Sequence, residues 1–255
     1  MDPTLALLGV GAFLAGMVDA VVGGGGLIQI PLLFSAFPQA APATLFGTNK
    51  LASVFGTAGA AVQYSRRVSI PWSAAGPAAL AAAIGSWSGA RAVVLFPPAA
   101  LRPLILVLLI LVALYTFLRK DFGIHHRRLA SAGRECGLAI LIGAALGFYD
   151  GFFGPGTGSF LIFGFVRLFG MDFLRASASA KLINVATNVS AIGFFASHGP
   201  LLWTLGLVMA VCNLAGAHVG TWLALRRGTA FVRQAFLLVV SVLIAKLAWD
   251  MVKGG

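Results

Sequence analysis

Four ionisable side chains lie inside long apolar segments of this sequence, and they form two pairs of the same residue type. Asp19 and Asp150 are the only acidic residues within apolar runs, and Lys50 and Lys181 are the only lysines well inside them. The members of each pair are 131 positions apart. A charge at the centre of a bilayer costs about 2.5–3.5 kcal/mol on insertion scales. Such charges either line a pathway or pair with each other to hold helices together.

Two glycine-rich breaks accompany these charges. Four consecutive glycines, residues 23–26, interrupt the first apolar stretch, and Gly-Pro-Gly-Thr-Gly at 154–158 interrupts its counterpart. Each break is predicted to free the N-terminus of a half-helix, near Gly25 and near Gly156. Unpaired amides and the positive end of the helix dipole favour an anion at such a start. A P-loop is disfavoured because no strand precedes the glycines and no Lys-Ser/Thr follows them.

Polar neighbours of the lysines extend this prediction of an anion site. Thr48, Asn49, Asn184 and Asn188 can donate neutral hydrogen bonds beside Lys50 and Lys181. Asp19 and Asp150 are predicted to hold the lysines or to carry coupled protons. The predicted substrate-binding residues are Gly23, Gly24, Gly25, Gly26, Thr48, Asn49, Lys50, Gly154, Gly156, Thr157, Gly158, Lys181, Asn184 and Asn188.

The composition predicts an integral membrane protein. Hydrophobic residues make up 59% of the 255 residues and charged residues only 10%, whereas a soluble domain carries about 25% charged residues. The mean hydropathy is +0.95. The net charge of +11 comes from Lys and Arg in short loops between apolar runs, which is typical of membrane topology rather than of a nucleic-acid-binding face. No nucleic-acid partner is expected.

The apolar stretches fall into two sets of four that align at the same spacing of 131. Trp72 matches Trp203 and Gly85 matches Gly216. Internal duplication is the usual plan of secondary transporters. We predict an all-α protein with repeat 1 at 1–119, a basic cytoplasmic linker at 120–133 and repeat 2 at 134–255, together one membrane domain. The stretches are 4–36, 43–64, 71–95 and 99–119, then 134–170, 174–197, 201–225 and 229–250.

The distribution of positive charge predicts that the repeats are inverted. If each broken stretch is a re-entrant hairpin, each repeat adds three transmembrane helices to it. Twelve of the 18 Lys and Arg residues then lie on one side and four on the other. If each broken stretch crosses once, the split is nine against seven. The positive-inside rule favours the more uneven distribution.

Other conspicuous residues are expected to be structural. The Gly-x3-Gly pairs at 85–89 and 216–220 suit close helix packing, and Trp72 and Trp203 suit an aromatic belt. Cys136 and Cys212 are expected to pack as small apolar residues. No nucleophile with a base and no metal-ligand spacing is visible, so no enzymatic activity, metal or cofactor is expected.

The paired motifs resemble those of the sulfite exporter TauE/SafE family of permeases. The resemblance rests on residues 16–31, where Asp19 precedes the four glycines, and on Gly47-Thr48-Asn49-Lys50-Leu51. The second half agrees at residues 147–158 and at Ser179-Ala180-Lys181, which lacks the amide that Asn49 supplies in the first half. Asn184 is the candidate replacement for it.

The resemblance implies a multi-pass permease of the cell inner membrane for sulfur-containing anions, such as sulfite or the organosulfonate sulfoacetate. The expected mechanism is alternating access around a substrate held at mid-membrane. Export of one negative charge gains about 2.3 kcal/mol per 100 mV and needs no co-ion, whereas uptake against a gradient needs one such as a proton. The alternatives are an anion channel and, less favoured, a membrane-embedded enzyme or subunit of a larger complex, or a metal-ion permease. The expected partners are a small anion and membrane lipid, and the oligomeric state stays open.

Overall fold

A computed structural model of the chain describes residues 3–97, 107, 111 and 132–253, with side-chain surroundings for 3–97 and 135–228 and for the single positions 107, 111 and 234. All regular structure in these residues is helical, as the sequence predicts. The predicted stretch 99–119 and almost all of the predicted linker 120–133 lie outside the described residues, apart from positions 107, 111, 132 and 133.

The described residues form two series of four helices. The helices α1 to α4 are Pro3–Val22, Gly26–Ala36, Pro42–Ser65 and Trp72–Leu95. The helices α5 to α8 are Ala132–Phe152, Thr157–Phe169, Phe173–His198 and Trp203–Lys253, the last of them interrupted at Gly228, where φ is +73°.

Both long apolar stretches divide at their glycines, as predicted. The helix α1 ends at Val22 and α2 begins at Gly26, while α5 ends at Phe152 and α6 begins at Thr157. With 11 and 13 residues, α2 and α6 extend only about 16–20 Å at 1.5 Å per residue. A bilayer core is about 30 Å thick, so neither short helix can cross it.

Four helices are long and apolar enough to cross a membrane. They are α1, α4, the part of α5 from Glu135 to Phe152 and the part of α8 from Trp203 to Gly228. Their outer faces carry large apolar side chains such as Leu80, Ile84 and Val211, each more than 70% exposed. An exposed apolar surface of this kind suits lipid rather than water, in agreement with the composition.

The large helix interfaces join the first series to the second. The helix α4 packs along α5 and α7, α1 packs along α8, and α3 contacts both α7 and α8. The predicted packing glycines lie in these interfaces. Gly85 and Gly89 lie against the backbone carbonyls of Ala144 and Phe148, with no room for a Cβ atom. Close backbone contact without side chains is the packing that small-residue motifs provide.

The helices α3 and α7 form the polar interior of the bundle. They contact each other and bury Asn49 and Lys50 on α3 and Lys181, Asn184 and Asn188 on α7. Their burial among apolar helices places the polar residues at the centre of the molecule, where the two breaks also lie.

Candidate functional site

Each buried lysine forms an ion pair with the aspartate of the other half of the chain. The Lys50 Nζ atom lies 2.6 Å from Asp150 Oδ2, and the Lys181 Nζ atom lies 2.9 Å from Asp19 Oδ2. The lysines are only 3% and 0% exposed. A buried charge is tolerated when it is paired and hydrogen-bonded. The four charges that the sequence predicts inside the membrane therefore form two neutral pairs, and both pairs connect the two halves.

The aspartates are placed by the ends of α1 and α5. Asp19 lies one turn before Gly23, whose amide donates to the Asp19 carbonyl oxygen at 2.8 Å. Gly23 and Gly154 then adopt positive φ angles of 80° and 93°, which glycine adopts without steric cost. The chain thus leaves each helix within four residues of its aspartate.

The two breaks touch each other. A Cβ atom on Gly158 would lie 2.5 Å from the Gly23 Cα atom. The Ser159 amide donates to the Gly23 carbonyl oxygen at 3.3 Å, and the Ser159 hydroxyl donates to the Val22 carbonyl oxygen at 2.8 Å. The start of α6 therefore satisfies backbone acceptors that the end of α1 leaves unpaired.

Local turns use some of the amides at the half-helix starts. The Leu27 and Ile28 amides donate to Gly24 and Gly25, both at 3.0 Å. The Thr157 amide and hydroxyl both donate to the Gly154 carbonyl oxygen, at 3.1 and 2.8 Å. The half-helices begin where the sequence predicted, but these amides already have acceptors.

A small polar cavity lies where the breaks and the ion pairs meet. Its volume of about 30 Å³ holds two or three water molecules at about 10–15 Å³ each. A larger anion therefore needs the surrounding helices to move apart. The cavity is lined by Asp19, Gly23, Gly26, Asn49, Lys50, Ser53, Thr57, Asp150, Gly154, Thr157, Gly158, Asn184 and Asn188.

Two buried amide side chains in this cavity have an unpartnered oxygen. The Oδ1 atoms of Asn49 and Asn184 make no hydrogen bond to the described protein atoms. A buried polar atom without a partner costs about 1–3 kcal/mol. Both oxygens are acceptors, so they suit a donor such as a water molecule, whereas the Lys50 ammonium is a cationic donor in the cavity lining.

Five predicted site residues lie outside the cavity lining. Gly25 packs on α1, where a Cβ atom would lie 2.6 Å from the Ala15 carbonyl oxygen. The Thr48 hydroxyl donates to Thr44 and accepts from the Leu202 amide, so it anchors the chain that enters α8. The others are Gly24, Gly156 and Lys181.

Ser53 and Thr57 line the cavity although the sequence reasoning missed them. Thr57 Oγ1 lies 3.4 Å from Asp19 Oδ2. Both residues follow Lys50 on α3 as Asn184 and Asn188 follow Lys181 on α7, again 131 positions apart. The spacing that identified the lysines could have identified them too, since a hydroxyl and an amide both offer a hydrogen-bond donor.

The two ion pairs have different surroundings. Lys181 donates to the Asp19 carboxylate and also to the Asp19 main-chain oxygen, and it does not line the cavity. Lys50 has the Asp150 carboxylate as its partner and does line the cavity. The first pair thus ties α7 to the end of α1, while the second presents its ammonium to the cavity.

Helices broken at mid-bundle beside buried, paired charges are typical of membrane transport proteins. Within the described residues, no cluster of three or more His, Cys, Asp or Glu side chains could hold a metal ion. The model of the family described as "Sulfite exporter TauE/SafE" matches residues 8–247. The chain belongs to this family and is a membrane protein of the transporter class.

Named relatives agree with this assignment. The chain is 39% identical over 249 residues to "Probable membrane transporter protein ORF9" of Sinorhizobium sp, covering 96% of this chain and 93% of the relative. It is 36% identical to "Probable membrane transporter protein YfcA" of Escherichia coli K12, with 94% and 87% covered. A Haemophilus influenzae "Probable membrane transporter protein" is 32% identical, with 96% and 95% covered. No solved structure matches the chain.

Proposed function

We propose that this chain is a secondary transporter of a small sulfur-containing oxyanion, sulfite or an organosulfonate such as sulfoacetate, in the cell inner membrane. The main support for the proposal is the Lys50–Asp150 ion pair, in which the Nζ and Oδ2 atoms lie 2.6 Å apart. This pair lines the polar cavity where the two breaks meet. The family description supplies the substrate class.

Exchange of ion-pair partners is the proposed binding step. An oxyanion that enters the cavity replaces the Asp150 carboxylate as the partner of Lys50. The ammonium therefore stays neutralised, and the desolvation cost of a lone buried charge is avoided. Side-chain N–H groups and backbone amides in the cavity lining supply hydrogen bonds to the remaining anion oxygens. These are the side-chain N–H groups of Asn49 and Asn184 and the backbone amides of Gly26 and Gly158.

The displaced Asp150 provides a route to proton coupling. A lone carboxylate in an apolar bundle is disfavoured, and a proton that enters with the anion would neutralise it. In export, the anion is driven out by a membrane potential that is negative inside, and no co-ion is needed. In uptake, one proton on Asp150 compensates the charge of the entering anion.

The fold is proposed to consist of two inverted repeats, 1–119 and 134–255. At the spacing of 131, α1 matches α5, α3 matches α7 and α4 matches α8. The α1–α8 interface is therefore the counterpart of the α4–α5 interface, and the α3–α8 interface is the counterpart of the α7–α4 interface. Single cysteines in place of Gln39 and Arg167 test the orientation, in a background without Cys136 and Cys212. Labelling by an impermeant reagent from opposite sides is expected. Labelling of both from one side contradicts inversion.

Ligand-induced thermal stabilisation of the purified protein tests the substrate class. A ligand that binds only the native state raises the melting temperature. Sulfite or sulfoacetate is expected to stabilise the wild type. Acetate, which lacks sulfur, and taurine, whose ammonium group cancels its sulfonate charge, are expected to do so less. The Lys50→Ala variant is expected to lose this response. Equal melting with every anion in both proteins rules out the proposed ligand class.

Transport by the reconstituted protein separates a carrier from the alternative, an anion channel. A carrier shows saturable flux and counterflow, because each substrate crosses with one conformational cycle. The cavity of about 30 Å³ between closed ion pairs supports a carrier, since it leaves no open path. Flux that rises linearly with concentration and shows no counterflow supports the channel instead.

A further inference from the structure

A second, larger cavity lies at one end of the bundle and shares no lining residue with the polar cavity. Its volume is about 730 Å³, and it lies between the end of α3, the start of α7 and α8 near Gly228. It is lined by Gln63, Arg66, Arg67, Val68, Leu174, Trp222, Leu225 and Arg226. Nothing in the proposed transport step uses it.

The polar part of this cavity is strongly positive. It contains the three guanidinium groups of Arg66, Arg67 and Arg226. Within the described ranges, none of them has a carboxylate within 4 Å, and Asp172 at the start of α7 pairs with Arg175 at 3.4 Å instead. Planar guanidinium groups bind phosphate through two parallel hydrogen bonds.

The rest of the cavity is apolar. Val68, Leu174 and Leu225 form this part, and the Arg226 guanidinium lies 4.6 Å from the centre of the Trp222 ring. This cation–π contact fixes the guanidinium and desolvates one face of it. A small soluble anion makes no favourable contact with such an apolar wall, whereas the acyl chains of a phospholipid can pack against it.

The depth of the cavity suits a lipid headgroup. Arg66 follows Ser65, the last residue of α3, and Arg226 lies two residues before the end of the apolar span Trp203–Gly228. Both arginines therefore lie at the end of long helices, at the level where headgroups meet the apolar core. Basic cavities between helices on the cytoplasmic side are typical binding places for anionic lipids.

We propose that this arginine–tryptophan cavity binds the phosphodiester headgroup of an anionic phospholipid. Arg66, Arg67 and Arg226 bind the phosphate, while Leu174 and Leu225 contact the start of an acyl chain. The same guanidinium chemistry also suits a free phosphate-like anion, so the experiment separates these two sources.

Native mass spectrometry of the detergent-purified protein tests the site. Phosphatidylglycerol is expected to remain bound at lower concentrations than phosphatidylcholine with the same acyl chains. The Arg226→Gln variant is expected to weaken phosphatidylglycerol binding about fivefold, the effect of one arginine near a lipid surface. Arg91→Gln is the matched control: it removes the same charge from an exposed position on α4 and is expected to leave binding unchanged.

Two further measurements distinguish a specific lipid-binding site from nonspecific electrostatic attraction and from a site for a soluble anion. Arg226→Lys keeps the charge but loses the bidentate geometry, so it is expected to weaken binding as well. Inorganic phosphate is expected not to displace phosphatidylglycerol. Equal binding of the two lipids, equal effects of Arg226→Gln and Arg91→Gln, or displacement by phosphate overturns the proposal. Arg66→Gln, at an exposed position, repeats the test should Arg226→Gln melt abnormally.

Discussion

Lys50 and Lys181 occupy matching positions 131 residues apart, but the bundle gives them different surroundings. Lys50 faces the polar cavity with Asp150 as its partner, whereas Lys181 is fully buried and bonds both the carboxylate and the main-chain oxygen of Asp19. A ligand can therefore compete for the Lys50 ammonium without breaking a main-chain contact. Lys181 instead holds the end of α1 in place.

Variants of the two lysines are expected to have different main effects. Lys50→Gln is expected to abolish transport and anion-dependent stabilisation while the protein still folds. Both substitutions leave a carboxylate without its buried lysine, which is expected to lower stability by about 3–5 kcal/mol. Lys181→Gln also removes the bond to the Asp19 main-chain oxygen, so it is expected to destabilise the protein at least as much as Lys50→Gln does. Melting of both variants without ligand, followed by proteoliposome flux, measures the difference.

The double variant Lys181→Gln/Asp19→Asn controls for the unpaired charge. It is expected to recover much of the stability that Lys181→Gln loses, because a neutral pair replaces the lone carboxylate. If Lys50→Gln destabilises the protein more than Lys181→Gln does, the division of roles between the two lysines is wrong.

The hydroxyl of Ser53 is expected to contribute to anion binding. The Ser53 hydroxyl donates to Gln29 Oε1 at 3.4 Å, a long bond that a bound anion is expected to replace. Ser53→Ala removes this donor, which corresponds to about 1 kcal/mol or a roughly fivefold higher dissociation constant. Ser88→Ala is the matched control, since Ser88 is an exposed helical serine on α4 that bonds the Ile84 carbonyl oxygen at 3.1 Å. Calorimetric titration with sulfite measures both variants. Equal affinities would exclude Ser53 from the site.

Residue type decided which site residues could be predicted from the sequence. Asp and Lys are rare in apolar runs, so Asp19, Lys50 and their counterparts were conspicuous. Ser53 and Thr57 were not, because hydroxyl side chains are common in apolar helices. Thr48 was predicted to bind, and it lies outside the cavity lining, where its hydroxyl bonds Thr44 and Leu202. The direction in which a helical side chain points depends on the packing around its helix.

At the scale of the helices, the breaks need glycine for two reasons. Some of these positions have positive φ angles, and others lie so close to the opposite break that no side chain fits. Gly158→Ala is expected to destabilise the protein by about 1–3 kcal/mol, since its Cβ atom would lie 2.5 Å from the Gly23 Cα atom and backbone must shift. Gly137→Ala on α5 has no neighbour within 4 Å and is expected to stabilise by about 0.4–1 kcal/mol. Thermal melting compares them, and a neutral Gly158→Ala would show that the breaks do not need this contact.

Helix bounds were largely predictable, and helix partners were not. The predicted stretches 43–64 and 174–197 correspond to Pro42–Ser65 and Phe173–His198, because apolar length and Gly or Pro punctuation mark the ends of membrane helices. No comparable signal in the sequence predicts that α1 packs on α8 or that α4 packs on α5. Glycines such as Gly85 and Gly216 predict a close contact but not the helix that makes it.

At the scale of the whole molecule, the two halves of the chain are interlocked. Both ion pairs and the large helix interfaces join one half to the other. The halves therefore cannot separate as independent bodies to expose the cavity. In the proposed mechanism, helices of one half slide along those of the other while Lys50 exchanges the Asp150 carboxylate for the anion, which is a shear motion between packed helices.

A reversible cross-link between α1 and α8 tests whether transport needs this sliding. A Cβ atom on Gly9 would lie 3.5 Å from the native Cys212 Sγ atom, close enough for a disulfide after a small adjustment. Oxidised Gly9→Cys protein is expected to lose most of its flux, because the bond fixes the register of α1 on α8, and to regain it on reduction.

Anion-dependent stabilisation of the oxidised protein separates loss of movement from loss of the site. If only sliding is blocked, sulfite still raises the melting temperature of the cross-linked protein, since the Lys50–Asp150 pair lies in α3 and α5 and not at the bond. Gly9→Cys/Cys212→Ala cannot form the disulfide and is expected to transport equally under both redox conditions. Full flux through oxidised protein with a completed disulfide would mean that α1 and α8 move together, and that the cavity opens at other interfaces between the halves, such as α4–α5.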